Sequence, residues 1–255
     1  MYLKVIIKGN FRGLVVIYLQ PPKFNTMYKL FLLLLLSLNF AFISCSTDDN
    51  RGGGTIGLAV SAVNPNSFRM PVEVIFTDFR ISIRDVVFKN DHDGSNGFST
   101  DEIHFRGPYQ IDLLNGSDAL SQTIGNVFVP DGLYKELRFK FHKDEDLPST
   151  DNLFDRSIYI EGTIDAVPFV FWHDTSENLD VGRSTGVLVE GNVVNLTVEF
   201  DISQFLNSLH QIDLSLATDN NKDGLIEIYP NDNDGNQDIA DMLKDNIKMA
   251  ADLLN

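Results

Sequence analysis

The chain has 255 residues, with 36 acidic against 20 basic side chains, a formal net charge of −16 and one cysteine. Apolar residues make up 43% of the chain, which is enough for a packed core and excludes wholesale disorder. A single cysteine excludes an internal disulfide framework and a zinc site built from thiolates. The acidic surplus argues against duplex nucleic acid as a partner, because phosphates would be repelled. The length suits one large domain or two small ones.

Residues 1–44 predict an N-terminal extension followed by a signal peptide. After Met27, an apolar stretch over residues 30–43 is too short to cross a bilayer as a helix and fits a secretory signal. Residues 1–26 carry several basic residues and no acid. We therefore interpret Met27 as the true start; an unusually long basic region beginning at Met1 is the alternative.

The signal ends in Phe42-Ile43-Ser44-Cys45, which resembles the lipobox of bacterial lipoproteins except that phenylalanine replaces the usual leucine at position 42. The resemblance implies cleavage before Cys45 and acylation of its thiol and amine. It also gives a use to a thiol that a secreted protein would seldom leave unpaired. About two acyl signals suffice for stable membrane attachment. We predict a lipid-anchored mature chain; a cleaved signal with an incidental cysteine is the alternative.

Residues 45–54 predict a tether, because acidic residues and then three glycines follow Cys45. Acids directly after the lipidated cysteine resemble the export signal of Bacteroidota surface lipoproteins. That resemblance implies an outer-membrane protein facing outward; a plain polar linker is the alternative. Loss of residues 1–44 removes five basic and no acidic residues, so the net charge changes from −16 to −21. Such a body repels anionic lipid, and the acyl chains would hold it at the membrane.

Alternating apolar and polar residues in the middle of the chain predict half-buried β-strands. Phe79 to Ile83 alternate, but Val86 and Phe88 fall on the other parity, which predicts a bulge at Arg84-Asp85. Further alternating segments cover residues 137–141, 158–164 and 194–202. Turn signals between the strands lie at residues 130–132, 165–166 and 190–192. The sequence therefore predicts a mainly β fold, an antiparallel β-sandwich of immunoglobulin- or transthyretin-like architecture, over residues 55–235.

The end of the chain has helical periodicity instead. Apolar residues recur at three- and four-residue spacing, and Asn236 is a candidate N-cap. We predict an amphipathic helix over residues 236–254, within a C-terminal segment 236–255 that packs on the sandwich. A partner-binding helix is the alternative. A shorter helix is predicted from Ser203 to Leu209.

Several segments also carry a resemblance to a known group of proteins. They are Phe105-Arg106-Gly107-Pro108-Tyr109-Gln110-Ile111-Asp112-Leu113-Leu114, Pro130-Asp131-Gly132-Leu133-Tyr134, Leu137-Arg138-Phe139 and Val198-Glu199-Phe200-Asp201. Together with the C-terminal helix they resemble a group of uncharacterised Bacteroidota lipoproteins that carry a β-sandwich domain of unknown function. The resemblance covers most of residues 55–254. It implies a fold and a location but no activity or substrate.

The most specific chemical pattern is a candidate calcium loop. Oxygen-bearing side chains alternate and a glycine follows, which is typical of the start of such a loop. The candidate ligands are Asp219, Asn221, Asp223 and Glu227, with Asp232 and Asp234 able to complete the site. Pro230 stands where a bidentate acid belongs, so a polar hairpin turn at Asp223-Gly224 is the alternative. Asp91-His92-Asp93-Gly94 is a weaker candidate loop.

No catalytic constellation is evident in the sequence. Gly182-Arg183-Ser184-Thr185-Gly186 matches a serine-hydrolase elbow, but a strand rather than a helix is predicted after it. The histidines lack zinc spacing, His173-Asp174 predicts a surface hydrogen bond, and Asp144-Glu145-Asp146 predicts solvated loop charge. Candidates for an aromatic glycan platform are Tyr159, Trp172 and Tyr109; core packing is the alternative, and the apolar run around Trp172 favours it there.

These observations favour a lipid-anchored, surface-exposed envelope protein that binds a protein or glycan ligand and is not an enzyme. A structural or accessory subunit of an outer-membrane assembly or adhesin is the alternative. A hydrolase acting through carboxylates assembled in space is a third hypothesis. Apart from the candidate calcium ion, no cofactor is predicted.

Overall fold

A computed structural model describes residues 3–6, 16–19, 52–64, 71–90 and 102–254. The chain divides into two compact units, Met1–Asn50 and Arg51–Asn255. In the first unit, β1 (Leu3–Ile6) pairs antiparallel with β2 (Val16–Leu19). The predicted signal peptide, the lipidation site and the start of the tether lie outside the described residues. Among the residues that are described, no helix is long and apolar enough to cross a membrane.

The second unit is mainly β. Its strands are β3 (Gly53–Val63), β4 (Val74–Asn90), β5 (Glu102–Asn115), β6 (Asp118–Ala119), β7 (Ser121–Pro130), β8 (Gly132–Phe141), β9 (Ile158–Ile164), β10 (Val167–His173), β11 (Asn178–Val189), β12 (Val193–Asp201), β13 (Ile226–Ile228) and β14 (Ala251–Leu254). Its helices are α1 (Ile202–Asn207) and α2 (Gln237–Ile247), and Leu214–Leu216 forms a 3₁₀ turn.

The strands form two sheets whose apolar faces share one hydrophobic core. The larger sheet has the order β11-β8-β4-β9-β10-β13, with β5 also pairing with β4 and with β6; the smaller has the order β14-β12-β3-β7. Neither sheet closes into a barrel, so the predicted mainly β fold with a sandwich arrangement is confirmed. The pairings of β12 with β3 and of β10 with β13 are parallel, which corrects the purely antiparallel prediction. The immunoglobulin- or transthyretin-like assignment stays a prediction.

β4 lies at the centre of the larger sheet and is bulged. The register shift between Ile83 and Asp85 confirms the bulge predicted there, and it lets residues of both parities face the core. A second shift, against β9, lies between Phe76 and Asp78. This second bulge keeps Phe76 buried while Asp78 turns to the outer face of the sheet.

Two of the predicted turns are joined at one end of the sandwich. The Tyr134 hydroxyl donates to the carbonyl oxygen of Pro130 at 2.9 Å and braces the turn between β7 and β8. A carboxylate oxygen of Asp131 accepts the N–H of Gly191 at 2.7 Å, which links this turn to the one between β11 and β12. The Pro130–Tyr134 motif is therefore structural.

The predicted tether is shorter than expected, because Gly53 and Gly54 belong to β3. A Cβ atom on Gly53 would lie 2.3 Å from the Phe128 ring, and one on Gly54 would lie 2.3 Å from the carbonyl oxygen of Asn192. These glycines therefore permit close packing of neighbouring strands and do not supply flexibility. The domain begins at Gly53 instead of residue 55.

The predicted helix over residues 236–254 is also corrected. α2 ends at Ile247, and β14 pairs with residues Thr197–Phe200 of β12. The spacing of the last apolar residues suits either structure, but the strand satisfies the backbone groups along the edge of β12. Asn236 makes no side-chain capping bond; its amide joins Thr218 and Glu227 instead.

The shorter predicted helix differs in its limits only. α1 spans Ile202–Asn207, and the Asp201 side chain accepts the N–H of Ser203 at 2.9 Å. Buried residues of both helices belong to the common core, so α2 is part of the sandwich domain and not a separate segment.

Candidate functional site

A surface pocket with a volume of about 420 Å³ lies over β5, β4 and β9. It is lined by Thr77, Asp78, Arg80, Asp112, Leu114, Asn115, Leu120 and Glu161. Bulges build this site. The bulge before Asp78 turns its carboxyl outward, and a register shift of β5 between the partners of Phe79 and Arg80 leaves both Asp112 and Asn115 exposed.

Strand register brings the pocket's polar groups together. Asp78 stands opposite Asn115 on one neighbouring strand and opposite Glu161 on the other. Directly opposed residues have Cβ atoms about 5 Å apart, so the carboxyl groups of Asp78 and Glu161 are neighbours. Two acids in this position repel each other, which disfavours the sheet and marks the pair as a feature that packing does not explain.

Arg80 is held by acids on two sides. Its Nε donates to Asp112 Oδ1 at 3.2 Å, and its terminal nitrogens donate to the two carboxylate oxygens of Asp151 at 2.9 and 3.4 Å. The hydrogen bond from Arg80 lowers the pKa of Asp151. The guanidinium is therefore fixed, and its charge is compensated by the two acids.

The two facing carboxyls differ in their surroundings. Burial raises the pKa of Asp78 to about 6, and the charge of Glu161 adds to the rise while Arg80 opposes it. Glu161 accepts a hydrogen bond from Asn152 at 3.0 Å and another from the Tyr159 hydroxyl. Asp78 thus holds its proton more tightly than an ordinary aspartate does.

The aromatic residues predicted as a glycan platform are placed differently from one another. Tyr159 is buried beside the pocket, and Trp172 on the next strand is half-buried and stacks on Tyr229 with ring centroids 4.8 Å apart. The Arg156 guanidinium lies 4.9 Å from the Trp172 ring and 5.5 Å from the Tyr159 ring. Tyr109 stacks on Phe105 instead, on β5. Tyr159 is buried and Trp172 is covered by Tyr229 and Arg156, so these rings do not form an open platform.

The candidate calcium ligands are joined by hydrogen bonds to the backbone. Asp219 accepts the N–H groups of Lys222, Asp223 and Gly224, at 2.7, 3.2 and 2.9 Å. Further bonds in this network come from Asn221, Asp223, Asp232 and Asp234, which accept backbone N–H groups of residues 221–236. These bonds fix the backbone of the loop.

Asn221 also donates to Glu227 at 3.3 Å, so the structure brings all four primary candidates into one loop. Within the described part of the chain, however, no three His, Cys, Asp or Glu side chains are positioned to hold a metal ion. Calcium binding therefore stays a prediction. The alternative of a hairpin at Asp223-Gly224 is wrong, because β13 pairs parallel with β10. The weaker loop at residues 91–94 lies outside the described residues.

Other sequence candidates take structural roles. β11 continues through the serine motif, so no helix follows Ser184. Asp144 is buried and accepts hydrogen bonds from Gln110 and from the Asp146 N–H at 3.0 Å, which corrects its assignment as solvated charge. His173 lies 3.7 Å from Asp174 and 3.8 Å from Asp241, and burial lowers its pKa.

Asp78, Arg80, Asp112 and Asn115 were not predicted from the sequence as site residues. A signal for Asp78 was present, because the buried parity changes between Phe76 and Phe79 just as it does farther along β4. The pairing of Asp78 with Glu161 depends on the register of two strands far apart in sequence, and no local pattern carries that register.

Comparison of the chain with protein-family models, with curated proteins and with solved structures finds no match in any of the three. The resemblance to Bacteroidota envelope lipoproteins therefore stays a prediction. Function is inferred below from the pocket and from the N-terminal sequence.

Proposed function

We propose that the protein is a lipid-anchored envelope lipoprotein, exposed at the cell surface, that acts as a non-catalytic binding module. The ligand site is the outer-face pocket of Asp78, Arg80, Asp112, Asn115 and Glu161. The observation that carries this proposal is the pocket itself: several polar side chains of different chemistry converge there on bulged strands. Concave sites with a few oriented polar groups are the usual form of small-ligand sites.

The chemistry of the lining favours a hydroxyl-rich ligand such as an oligosaccharide. The Asn115 amide and the Thr77 hydroxyl can both donate and accept hydrogen bonds, and the carboxyls of Asp78 and Glu161 accept them from hydroxyl groups. Arg80 is already paired with Asp112 and Asp151, so an anionic ligand would find no uncompensated positive charge in the pocket. A site of this kind discriminates by hydrogen bonding.

Binding to an array of bacterial and host glycans tests the proposal, with the full chain in detergent. We expect the wild-type protein to retain a defined set of glycans and Glu161→Gln to lose at least tenfold in affinity, the cost of about one charged hydrogen bond. The matched control is Glu190→Gln, at an exposed turn away from the pocket. Equal retention by the pocket variant and the control would contradict this assignment of the site.

The facing carboxyls favour a second candidate function, glycoside hydrolysis. They stand directly opposite each other on adjacent strands, and a retaining glycosidase likewise needs two carboxyls close together, at roughly 5 Å. The raised pKa of Asp78 suits a general acid, and Glu161, held by Tyr159 and Asn152, suits a nucleophile. Release of reducing sugar from a retained glycan, lost in both Asp78→Asn and Glu161→Gln, would favour the hydrolase over the binding module.

A further inference from the structure

We propose that the end of the sandwich where β3 begins rests on the lipid surface, through an exposed apolar patch on the outer face of the smaller sheet, formed by Phe128 and Val193. We call these two residues the β3-end patch. The proposal rests on the lipid anchor of the proposed function, and it adds which face of the domain meets the membrane. The surface it fits is one of zwitterionic phospholipid headgroups.

Both residues of the patch are apolar and largely exposed. Phe128 and Val193 stand on either side of Thr55 on the outer face of the smaller sheet and are 68% and 69% exposed. Two large apolar side chains are thus displayed on one face at one end of the domain.

This end is rigid. The Phe128 ring lies directly over the backbone of Gly53, where a Cβ atom would come within 2.3 Å of it. The Asp131 N–H donates to the carbonyl oxygen of Gly52 at 2.9 Å, and the Thr55 N–H donates to that of Asn192 at 2.9 Å. The start of β3 is therefore fixed to the turns on both sides of it, and the exposed side chains are held in place before any contact with lipid.

The short chain between anchor and domain keeps the start of β3 near the bilayer. Gly52 follows Cys45 by seven residues, and a fully extended chain of that length spans at most about 25 Å. Gly52, the residue before β3, must therefore stay within about that distance of the acylated sulfur. Phe128 and Val193 flank Thr55, close to this point in the chain, so the anchor holds the patch near the lipid surface.

The tether also makes a weak contact sufficient. Two exposed side chains would not bind a vesicle from solution, but a short tether gives an effective concentration in the millimolar range. Asp131 and Glu190 border the patch, and the mature chain has a net charge of −21, so anionic headgroups would repel this end. A zwitterionic surface avoids that repulsion.

Fluorescence of a label at the patch tests the proposal. Acylation uses the thiol of Cys45, the chain's single cysteine, so a cysteine introduced elsewhere is the one reactive thiol of the lipidated protein. Phe128→Cys and Val193→Cys are each expressed with the signal peptide, purified in detergent, labelled with an environment-sensitive dye and reconstituted into phosphatidylcholine vesicles containing nitroxide-bearing lipid. The matched control is Met249→Cys, a site 59% exposed beyond the opposite end of β12.

We expect blue-shifted emission and quenching by the nitroxide lipid for the labels at positions 128 and 193, and neither for the label at position 249. Vesicle-bound protein with no more quenching at positions 128 and 193 than at 249 would overturn the patch and leave the anchor intact. Protein that does not sediment with vesicles, with Cys45 open to the dye, would overturn the anchor and with it the patch.

Discussion

Asp78 is a residue whose position in the pocket opposes the stability of the fold. It is half-buried, faces Glu161 on the next strand and has Asp112 and Asp151 nearby. Burial and these charges favour its neutral form, so its pKa rises from 3.8 to about 6. In the unfolded chain the group has its ordinary pKa, and the folded state therefore binds this proton more tightly than the unfolded state does.

The sign of the pH dependence follows. A carboxyl whose pKa is raised by folding contributes stability that is fully present below pH 3.8 and is lost as the pH rises through about 6. We expect the unfolding free energy of Asp78→Asn, relative to that of the wild type, to rise by about 1–2 kcal/mol from about pH 4 to about pH 8. This figure allows for the partial solvent exposure of the carboxyl group. Urea denaturation at both pH values measures this difference, with Asp146→Asn at an exposed loop as the control. A stability difference that is the same at both pH values would contradict it.

At the scale of single elements, local patterns predicted what depends on neighbouring residues. The bulge at Arg84-Asp85 was predictable because a change of parity is visible within one strand. β14 was not predictable, because its residues have a spacing that suits a helix, and only pairing with the edge of β12 decides between helix and strand. The parallel pairing of β13 with β10 was not predictable either, because it joins strands far apart in sequence.

β14 has a direct test. A chain that ends after Ala250 loses the strand that covers the edge of β12, so we expect lower stability and association through the uncovered edge. Denaturation and light scattering measure both effects. The control is removal of Asn255 alone, which follows β14. If residues 251–254 merely extended a surface helix, the truncated chain would remain monomeric and nearly as stable as the control.

The loop before α2 has a test that separates hydrogen bonds from calcium. Asp234 is buried and its two carboxylate oxygens accept the N–H groups of Asn221 and Glu227, at 3.0 and 2.9 Å. We expect Asp234→Ala to cost about 2–3 kcal/mol, because two N–H groups lose their partners. The loss should be equal in a chelator and in millimolar calcium, with exposed Asn233→Ala as the control.

A loss that appears only when calcium is present would contradict the hydrogen-bond account of this loop. It would instead support the predicted calcium site of Asp219, Asn221, Asp223 and Glu227. Thermal unfolding of the wild type with and without calcium gives the complementary measurement. An ion that binds only the folded state raises the midpoint temperature of unfolding.

At the scale of the whole molecule, composition and the N-terminal signals predict the location of the protein. The site, in contrast, is built by the pairing of strands that are far apart in sequence. The pocket joins β4, β5 and β9, and its acids meet through register alone. The sequence could place Glu161 on a polar face but could not give it Asp78 as a neighbour. The β3-end patch was not predictable for a related reason, because only strand pairing brings Phe128 and Val193 to either side of Thr55 in β3.

The proposed surface function and the proposed membrane-facing patch both require one covalent link at Cys45. Intact-mass and peptide mass spectrometry of the protein purified from its native envelope measures that link directly. We predict a mature N-terminus at Cys45 carrying a thioether-linked diacylglycerol and an amide-linked acyl chain. A free thiol at this position, or a mature chain that begins elsewhere, would contradict the account.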